Sequence, residues 1–214
     1  MGSRPARPIL CLVLDRAVPR HPLPAAVRAA VAAGVDQIQI RARELGSSAL
    51  LAFAREIQSA AGEARVVVNQ RADVALALGA GCAGVHLGFD GMTPERARAL
   101  LGDPSWIGVS AHSPDEVARA AASGASYAQL APIFQPLSKT PTESRPALGL
   151  EPLRRACEHG IPVLAQGGID TSNAADVIAA GAAGVAVTGA ILMADDPGAA
   201  TAALRRALDR ASEC

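Results

Sequence analysis

Short apolar runs alternate with longer, alanine-rich amphipathic stretches along most of the chain. The apolar runs have the length of buried strands, and the stretches between them have the length and periodicity of helices. Apolar strands joined by helices must be parallel and covered on both faces. The predicted strands are Ile9–Leu14, Gln37–Ile40, Val66–Val68, Val85–Leu87, Ile107–Val109, Tyr127–Leu130, Pro162–Ala165 and Val185–Val187. The predicted helices cover residues 24–33, 47–61, 72–80, 94–101, 114–123, 149–159, 172–180 and 197–210.

A repeated glycine signal marks the ends of four predicted helices, at Gly34, Gly81, Gly124 and Gly181. Glycine after a helix is the usual left-handed cap. Eight alternating β/α units within 214 residues predict an α/β fold, a (β/α)8 TIM barrel that forms a single domain over residues 1–214. An open doubly wound sheet is the alternative. It would need a Gly-x-Gly-x-x-Gly turn after an early strand, which this sequence lacks.

The composition of the chain argues against several kinds of binding partner. The chain has 20 basic and 20 acidic side chains, so it has no general attraction to nucleic acid or to an anionic membrane. Aromatic residues make up 2% of the chain, which argues against stacking on many bases. No apolar run approaches the ~20 residues of a membrane span. The four cysteines lie far apart and form no C-x-x-C pair, which indicates a reducing cytoplasm and argues against zinc.

Polar side chains gather where the predicted strands end, and that end of a parallel barrel holds its active site. Strand alternation predicts that the amide and two guanidinium groups at the end of the second strand share one side. Guanidinium forks and a lysine charge suit a diphosphate group. For His86, a hydrogen-bonded core histidine is the alternative interpretation. The candidates are Gln39, Arg41, Arg43, Asn69, His86 and Ser110 at strand ends, and Ser138 and Lys139 in the loop after the sixth strand.

Two glycine-containing turns follow the last two predicted strands, at Gly167-Gly168 and Thr188-Gly189. Glycine lets backbone N–H groups approach an anion closely, and a nearby helix N-terminus adds partial positive charge. We interpret the pair as a phosphate-binding site; ordinary turns are the alternative. The long polar, proline-rich segment Gln135–Ala147 has the character of a lid or binding loop.

Six short segments along the chain form a pattern that is more specific than any one of them. They are Gln39–Arg41, Val85–Gly88, Gly108–His112, Pro132–Phe134 with Ser138-Lys139, Gly167–Ile169 and Gly184–Val187. With these segments the chain resembles the thiamine phosphate synthase and TenI family, over nearly its whole length and in order; the Gly108–His112 and Pro132–Phe134 motifs are the most specific. The resemblance implies a (β/α)8 barrel and a transferase that joins an aminopyrimidine methyl diphosphate to a thiazole phosphate and releases diphosphate. TenI is instead a thiazole tautomerase.

The resemblance also implies roles for individual residues. Gln39, Arg41 and Asn69 match positions that bind the pyrimidine diphosphate. Ser110 and Lys139 match catalytic positions, a hydroxyl near the reacting centre and the lysine that binds diphosphate. Gly168, Val187 and Thr188 match positions that bind the thiazole phosphate, and Gly167 and Gly189 lie beside them. The implied partners are small phosphorylated substrates, with no nucleic acid and no membrane; the sequence leaves the oligomeric state open, a homodimer included.

Several positions depart from the family pattern. Arg43 stands where lysine is usual, and Pro136 where threonine is usual. Gln70 and Gly91 occupy the positions of the expected Mg²⁺-binding acids, with Asp90 one position early, so Mg²⁺ is expected from the resemblance while its usual ligands are missing. Pro132 stands where the tautomerase has its catalytic histidine. Three interpretations follow: a synthase-like enzyme, which we favour, a TenI-type tautomerase, and a non-catalytic regulator that binds thiazole phosphate.

Overall fold

Eight parallel strands close into a barrel in the computed structural model, which describes residues 7–88, 91–135 and 145–213. Each strand pairs with the next along the chain, and the last pairs with the first. The predicted TIM barrel is therefore confirmed, and the open sheet is excluded. The strands are β1 Ile9–Asp15, β2 Gln37–Arg41, β3 Arg65–Asn69, β4 Gly84–Leu87, β5 Trp106–Ala111, β6 Tyr127–Leu130, β7 Val163–Gln166 and β8 Gly184–Val187.

Helices follow the strands and cover the outside of the barrel. Eight of them match the predicted helices, and none in the described ranges is long and apolar enough to cross a membrane. The short helix after β8 was not predicted, because four residues are too few to show a helical period. The helices are α1 Leu23–Ala32, α2 Ser47–Ala60, α3 Ala72–Leu78, α4 Pro94–Leu101, α5 Pro114–Ala122, α6 Leu150–Cys157, α7 Ala174–Ala179, α8 Gly189–Leu192 and α9 Pro197–Glu213.

Three of the four predicted glycine caps are confirmed. Gly34, Gly124 and Gly181 all have positive φ after their helices. The prediction for α3 was wrong: that helix ends at Leu78, and its cap is Gly79 with φ 66°. A short 3-10 turn, Gly79–Gly81, then leads towards β4, so the first glycine of the Gly-Ala-Gly run takes the capping role.

Apolar side chains form two layers, one between the strands and the helices and one inside the barrel. In β1, Leu10, Leu12 and Leu14 belong to the outer layer, while Cys11 and Val13 belong to the inner one. This is the alternation expected of a strand that is buried on both faces. The inner layer also contains buried polar side chains, which are Gln37, Gln39, Asn69, His86 and Gln129. The barrel interior is therefore polar as well as apolar, and its polar groups lead to the candidate site.

The barrel closes where β1 meets β8, with Ile9 paired to Gly184. Helix α9 anchors the start of β1 through the buried side chain of Arg205. Its Nη1 donates to the carbonyl oxygen of Pro8 at 2.8 Å and lies 3.1 Å from Asp36 Oδ2. Asp36 Oδ2 in turn accepts from the backbone N–H of Leu10 at 2.8 Å. A helix from the end of the described chain thus holds the first strand in place.

Candidate functional site

Arg41 ends β2 at the carboxyl-terminal mouth of the barrel, as predicted. It lies directly opposite Asp15, the last residue of β1, and its Nη1 donates to Asp15 Oδ2 at 3.0 Å. Both side chains keep 30% of their surface exposed. Asp15 was not among the predicted site residues, because the apolar run that predicts β1 ends at Leu14. The carboxylate orients a guanidinium group that still has donors available for a ligand.

Arg43 lies beyond the end of β2 and is exposed. Strand alternation therefore places Gln39 and Arg41 on one side, but it does not extend to Arg43, which follows in a turn where Leu45 N–H donates to the Ala42 carbonyl. The neighbouring Glu44 accepts from Arg16 Nη1 at 2.6 Å. The predicted role of Arg43 in binding substrate stays a prediction.

A chain of three amides crosses the barrel below the mouth. Gln129 Nε2 donates to Gln39 Oε1 at 2.7 Å, and Gln39 Nε2 donates to Asn69 Oδ1 at 3.0 Å. Asn69 ends β3 and is 9% exposed, so its side-chain N–H groups are the part of this chain that lies nearest the mouth. The sequence predicted Gln39 and Asn69 as site residues but not Gln129, which lies within an otherwise apolar run.

His86 lies behind Ser110 rather than in the mouth. Its side chain is 1% exposed; Nε2 lies 2.9 Å from Ser110 Oγ, and Nδ1 lies 3.2 Å from Tyr127 Oη. Burial lowers the pKa of His86 to about 3. The burial and the two contacts of His86 agree with the alternative interpretation given from the sequence, a hydrogen-bonded core histidine. Ser110 is half-buried near the end of β5, so any effect of His86 on a ligand passes through that hydroxyl.

The buried histidine should make the protein less stable in mild acid. Below pH 6.5 the unfolded chain protonates this imidazole while the folded one does not, so the free energy of unfolding falls by about 1.4 kcal/mol per pH unit until the folded pKa of His86 is reached. We expect His86→Gln to flatten the pH dependence of the free energy of unfolding between about pH 6.5 and 4.5, as measured by urea titrations. His159→Gln, at an exposed position after α6, is the control and should leave the slope in place. An unchanged slope in His86→Gln would contradict this account.

The loop after β7 contains Gly167 and Gly168, with φ angles of 97° and 62°. A Cβ at Gly168 would lie 2.3 Å from the Gln135 carbonyl oxygen, so this glycine is needed for close packing against the loop after β6. Asn173 Nδ2 donates to the Gly168 carbonyl at 2.8 Å and fixes the turn. The backbone packing gives these glycines a structural role whether or not a phosphate binds.

The segment after β8 differs from the predicted simple turn. Thr188 precedes α8, and Gly189 begins this helix. Val187 is buried, and its side chain belongs to the layer between strands and helices, so only its backbone can face a ligand. Because Gln166 and Ala186 are paired, the loops after β7 and β8 begin side by side, as predicted.

Several predicted residues lie outside the described part of the chain: Ser138, Lys139, Pro136 and Asp90. Within the described part, no three His, Cys, Asp or Glu side chains form a group suited to a metal ion. Gln70 has φ 63°, a strained backbone conformation for this residue type, and its N–H donates to the His86 carbonyl at 2.8 Å. At the mouth, the carboxylates of Asp15 and Glu44 are each paired with arginine. Each of these two carboxylates therefore already has a cationic partner within the protein.

Comparison with known proteins gives matches over most of the chain. The family model described as thiamine monophosphate synthase matches residues 10–191. The thiamine-phosphate synthase of Chloroflexus aurantiacus is 41% identical over 184 residues, which cover 85% of this chain and 83% of the relative. The thiamine-phosphate synthase of Gloeobacter violaceus is 43% identical over 190 residues, 86% of this chain, but the chain spans only about half of that relative, 53%. The solved structure of a thiamine phosphate pyrophosphorylase from Pyrococcus furiosus is similar with a TM-score of 0.83 and 32% identity, and the match covers 95% of this chain and 96% of the other.

Proposed function

The chain belongs to the thiamine monophosphate synthase family, and we propose that it is a transferase that joins an aminopyrimidine methyl diphosphate to a thiazole phosphate. The observation that carries the proposal is the gathering of Arg41, Asn69 and Ser110 at one barrel mouth, on β2, β3 and β5. A guanidinium, an amide and a hydroxyl offer hydrogen-bond donors to an anionic substrate. The names of its relatives support the same activity.

Two parts of the mouth suit the two substrates. Arg41 carries a charge that matches the diphosphate, and Asp15 holds its guanidinium group at the strand end. At the other part of the mouth, the adjoining loops after β7 and β8 would bind the phosphate of the thiazole through backbone N–H groups. This division keeps the two anions apart and brings the reacting carbon and nitrogen together between them.

The reaction needs positioning and charge stabilisation more than proton transfer. The bond between the methylene carbon and the diphosphate oxygen breaks, and the electron-rich aminopyrimidine supports the resulting cation. The thiazole nitrogen then donates its electron pair to that carbon, and the product keeps the positive charge on its new thiazolium ring. Arg41 and Ser110 would stabilise the charge that develops on the leaving diphosphate, while Asn69 would orient the pyrimidine half.

The tautomerase alternative lacks its catalytic group in this chain. A tautomerase must move a proton, and the position of its histidine is occupied by Pro132, which is buried and has no side chain able to exchange a proton. The buried His86 points to Ser110 and Tyr127 and does not substitute for that histidine. These observations favour the synthase.

We expect Mg²⁺ to bind weakly to the free protein and to enter with the diphosphate. Asp15 and Glu44 at the mouth are already paired with arginine, and Mg²⁺ commonly binds through substrate phosphates with one or two carboxylates. Calorimetric titration of Mg²⁺ should therefore give little heat without inorganic diphosphate and clear binding with it. Tight binding by the free protein, lost in Asp90→Asn, would contradict this expectation and assign the metal to Asp90.

The decisive test is incubation with both substrates, followed by mass spectrometry for the coupled product and an assay for released diphosphate. The synthase predicts equal amounts of both. Binding of thiazole phosphate with no product would favour the regulator, and proton exchange on a thiazole substrate without diphosphate release would favour the tautomerase. We place the reaction in the cytoplasm, in keeping with the free cysteines Cys11 and Cys82, and a homodimer stays a prediction.

A further inference from the structure

A continuous chain of hydrogen bonds crosses the barrel from the start of β5 to the mouth. Trp106 Nε1 donates to Gln37 Oε1 at 2.9 Å, and Gln37 Nε2 donates to Tyr127 Oη at 3.0 Å. Tyr127 Oη lies 3.2 Å from His86 Nδ1, and His86 Nε2 lies 2.9 Å from Ser110 Oγ. Five side chains from β2, β4, β5 and β6 are thus linked in series, and only the last belongs to the candidate site.

The first member of this chain sets its direction. The indole N–H of Trp106 can only donate, so Gln37 must turn its carbonyl oxygen towards the indole. The amide nitrogen of Gln37 then faces Tyr127 Oη, and it also lies 3.5 Å from Cys11 Sγ. Since Tyr127 accepts from Gln37, its own hydroxyl proton is available for His86 Nδ1. Burial raises the pKa of Tyr127 well above its usual value, which keeps that proton in place.

The imidazole of His86 continues the same donor-to-acceptor order of hydrogen bonds as far as Ser110 at the mouth. A neutral histidine has one N–H and one acceptor nitrogen, and burial keeps His86 neutral, with its pKa lowered to about 3. If Nδ1 accepts from Tyr127, the ring proton must be on Nε2, which donates to Ser110 Oγ. The Ser110 hydroxyl is then left with its own proton free to donate to a ligand.

The packing around Trp106 and Tyr127 keeps the indole in position. The Trp106 and Tyr127 rings stack with centroids 5.2 Å apart and planes at 16°. The guanidinium carbon of Arg65 lies 4.5 Å from the centroid of the Trp106 ring, on its face. A Cβ at Gly108 would lie 2.2 Å from Tyr127 Cζ, so glycine leaves the space that the phenol ring fills. Reversing the Gln37 amide would bring its N–H against the indole N–H, two donors face to face.

We propose that Trp106, Gln37 and Tyr127 are positioning residues that fix His86 as the Nε2–H tautomer and thereby direct the Ser110 hydroxyl proton into the barrel mouth. The proposal deepens the proposed function, on which it rests for the identity of the ligand: a donor at this point suits an oxygen of the diphosphate group, which gains negative charge as the carbon–oxygen bond breaks. A hydroxyl turned the other way would present its lone pairs to that oxygen.

The tautomer can be measured without any enzymatic activity. In protein labelled with nitrogen-15 histidine, the signals of the two His86 ring nitrogens, assigned by their loss in His86→Gln, report which nitrogen carries the proton. We expect the Nε2–H form in the wild-type protein. In Trp106→Phe the amide of Gln37 is free to rotate, so the Nδ1–H form should appear. An Nδ1–H ring in the wild-type protein, or an unchanged tautomer in Trp106→Phe, would overturn the proposed direction or the role of Trp106.

A kinetic comparison tests whether the direction matters for coupling. Tyr127→Phe removes the hydroxyl that fixes the imidazole, and we expect kcat for coupling to fall about tenfold with KM changed less than about twofold. The control is Thr201→Val, which removes a buried hydroxyl that donates to the Pro197 carbonyl in α9, far along the chain from the mouth. It should lower thermal stability and leave kcat unchanged.

The outcomes separate the two proposals. If Tyr127→Phe lowers the melting temperature but leaves kcat within about twofold, as in the control, the chain of hydrogen bonds is structural and the positioning role is overturned. If the wild-type protein does not couple the substrates at all, the proposed function fails, while the tautomer measurement still decides whether the five side chains are oriented as described.

Discussion

Gly184→Ala should lower the free energy of unfolding by about 3–5 kcal/mol, because a Cβ at this position has no space. The added carbon would lie 2.1 Å from the carbonyl oxygen of Ile9 and 2.6 Å from its nitrogen. These are backbone atoms of the strand that β8 must pair with, so relief requires β1 and β8 to separate where the barrel closes. Urea unfolding followed by circular dichroism would measure the change, and the melting temperature should fall by roughly 10 °C.

Gly46→Ala is the matched control for this substitution. Gly46 precedes α2 with φ −67° and ψ 167°, a conformation open to any residue, and a Cβ there would meet no atom within 4 Å. We expect the control to change stability by less than about 0.5 kcal/mol. Equal stability of the two variants would show that the strands at the closure tolerate displacement, contrary to the packing described above.

Arg41→Ala should reduce kcat/KM for coupling by about 100- to 1000-fold, since it removes a preorganised cation from the leaving diphosphate. Arg41→Lys keeps the charge but loses the fork that binds two oxygens, so its activity should lie between those of the alanine variant and the wild type. The melting temperature should change by no more than about 3 °C, because the pair with Asp15 is partly exposed. Steady-state kinetics and differential scanning calorimetry measure the two effects separately.

Arg154→Ala provides the comparison on the outer surface. Arg154 forms a similar arginine–carboxylate pair, with Glu151 at 3.3 Å on α6, but it does not lie at a strand end. Its loss should leave kcat/KM unchanged. If Arg41→Ala retains wild-type kinetics, Arg41 is only a structural partner of Asp15 and the proposed diphosphate site is wrong.

The strands could be predicted because each apolar run is bounded by clear helix and turn signals. Tyr127–Leu130 was predicted and observed with the same bounds, and α5 begins at Pro114, as predicted. Parallel strands then place their polar ends together, so Arg41, Asn69 and Ser110 could be assigned to one mouth from the sequence alone.

The rest depends on contacts across the barrel, which local patterns do not contain. Gln37 and Trp106 are 69 residues apart, and neither shows in sequence that it begins a hydrogen-bond chain. Asp15 adjoins an apolar run, and its partner is known only from the register of β1 and β2. Val187 was assigned to the phosphate site by resemblance, whereas the observed alternation turns its side chain away from the barrel interior.

The closure of the barrel also bears on how the chain folds as it is synthesised. Arg205 and Asp36 are 169 residues apart, and the residues that pair β1 with β8, its second partner, are separated by slightly more. At synthesis rates of about 5–20 residues per second, the apolar edge of β1 stays unpaired on one side for on the order of ten seconds or more. Such an edge is a template for pairing between chains. The interactions that finish the barrel are therefore the last to become available to the nascent protein, and aggregation competes with folding mainly during that interval.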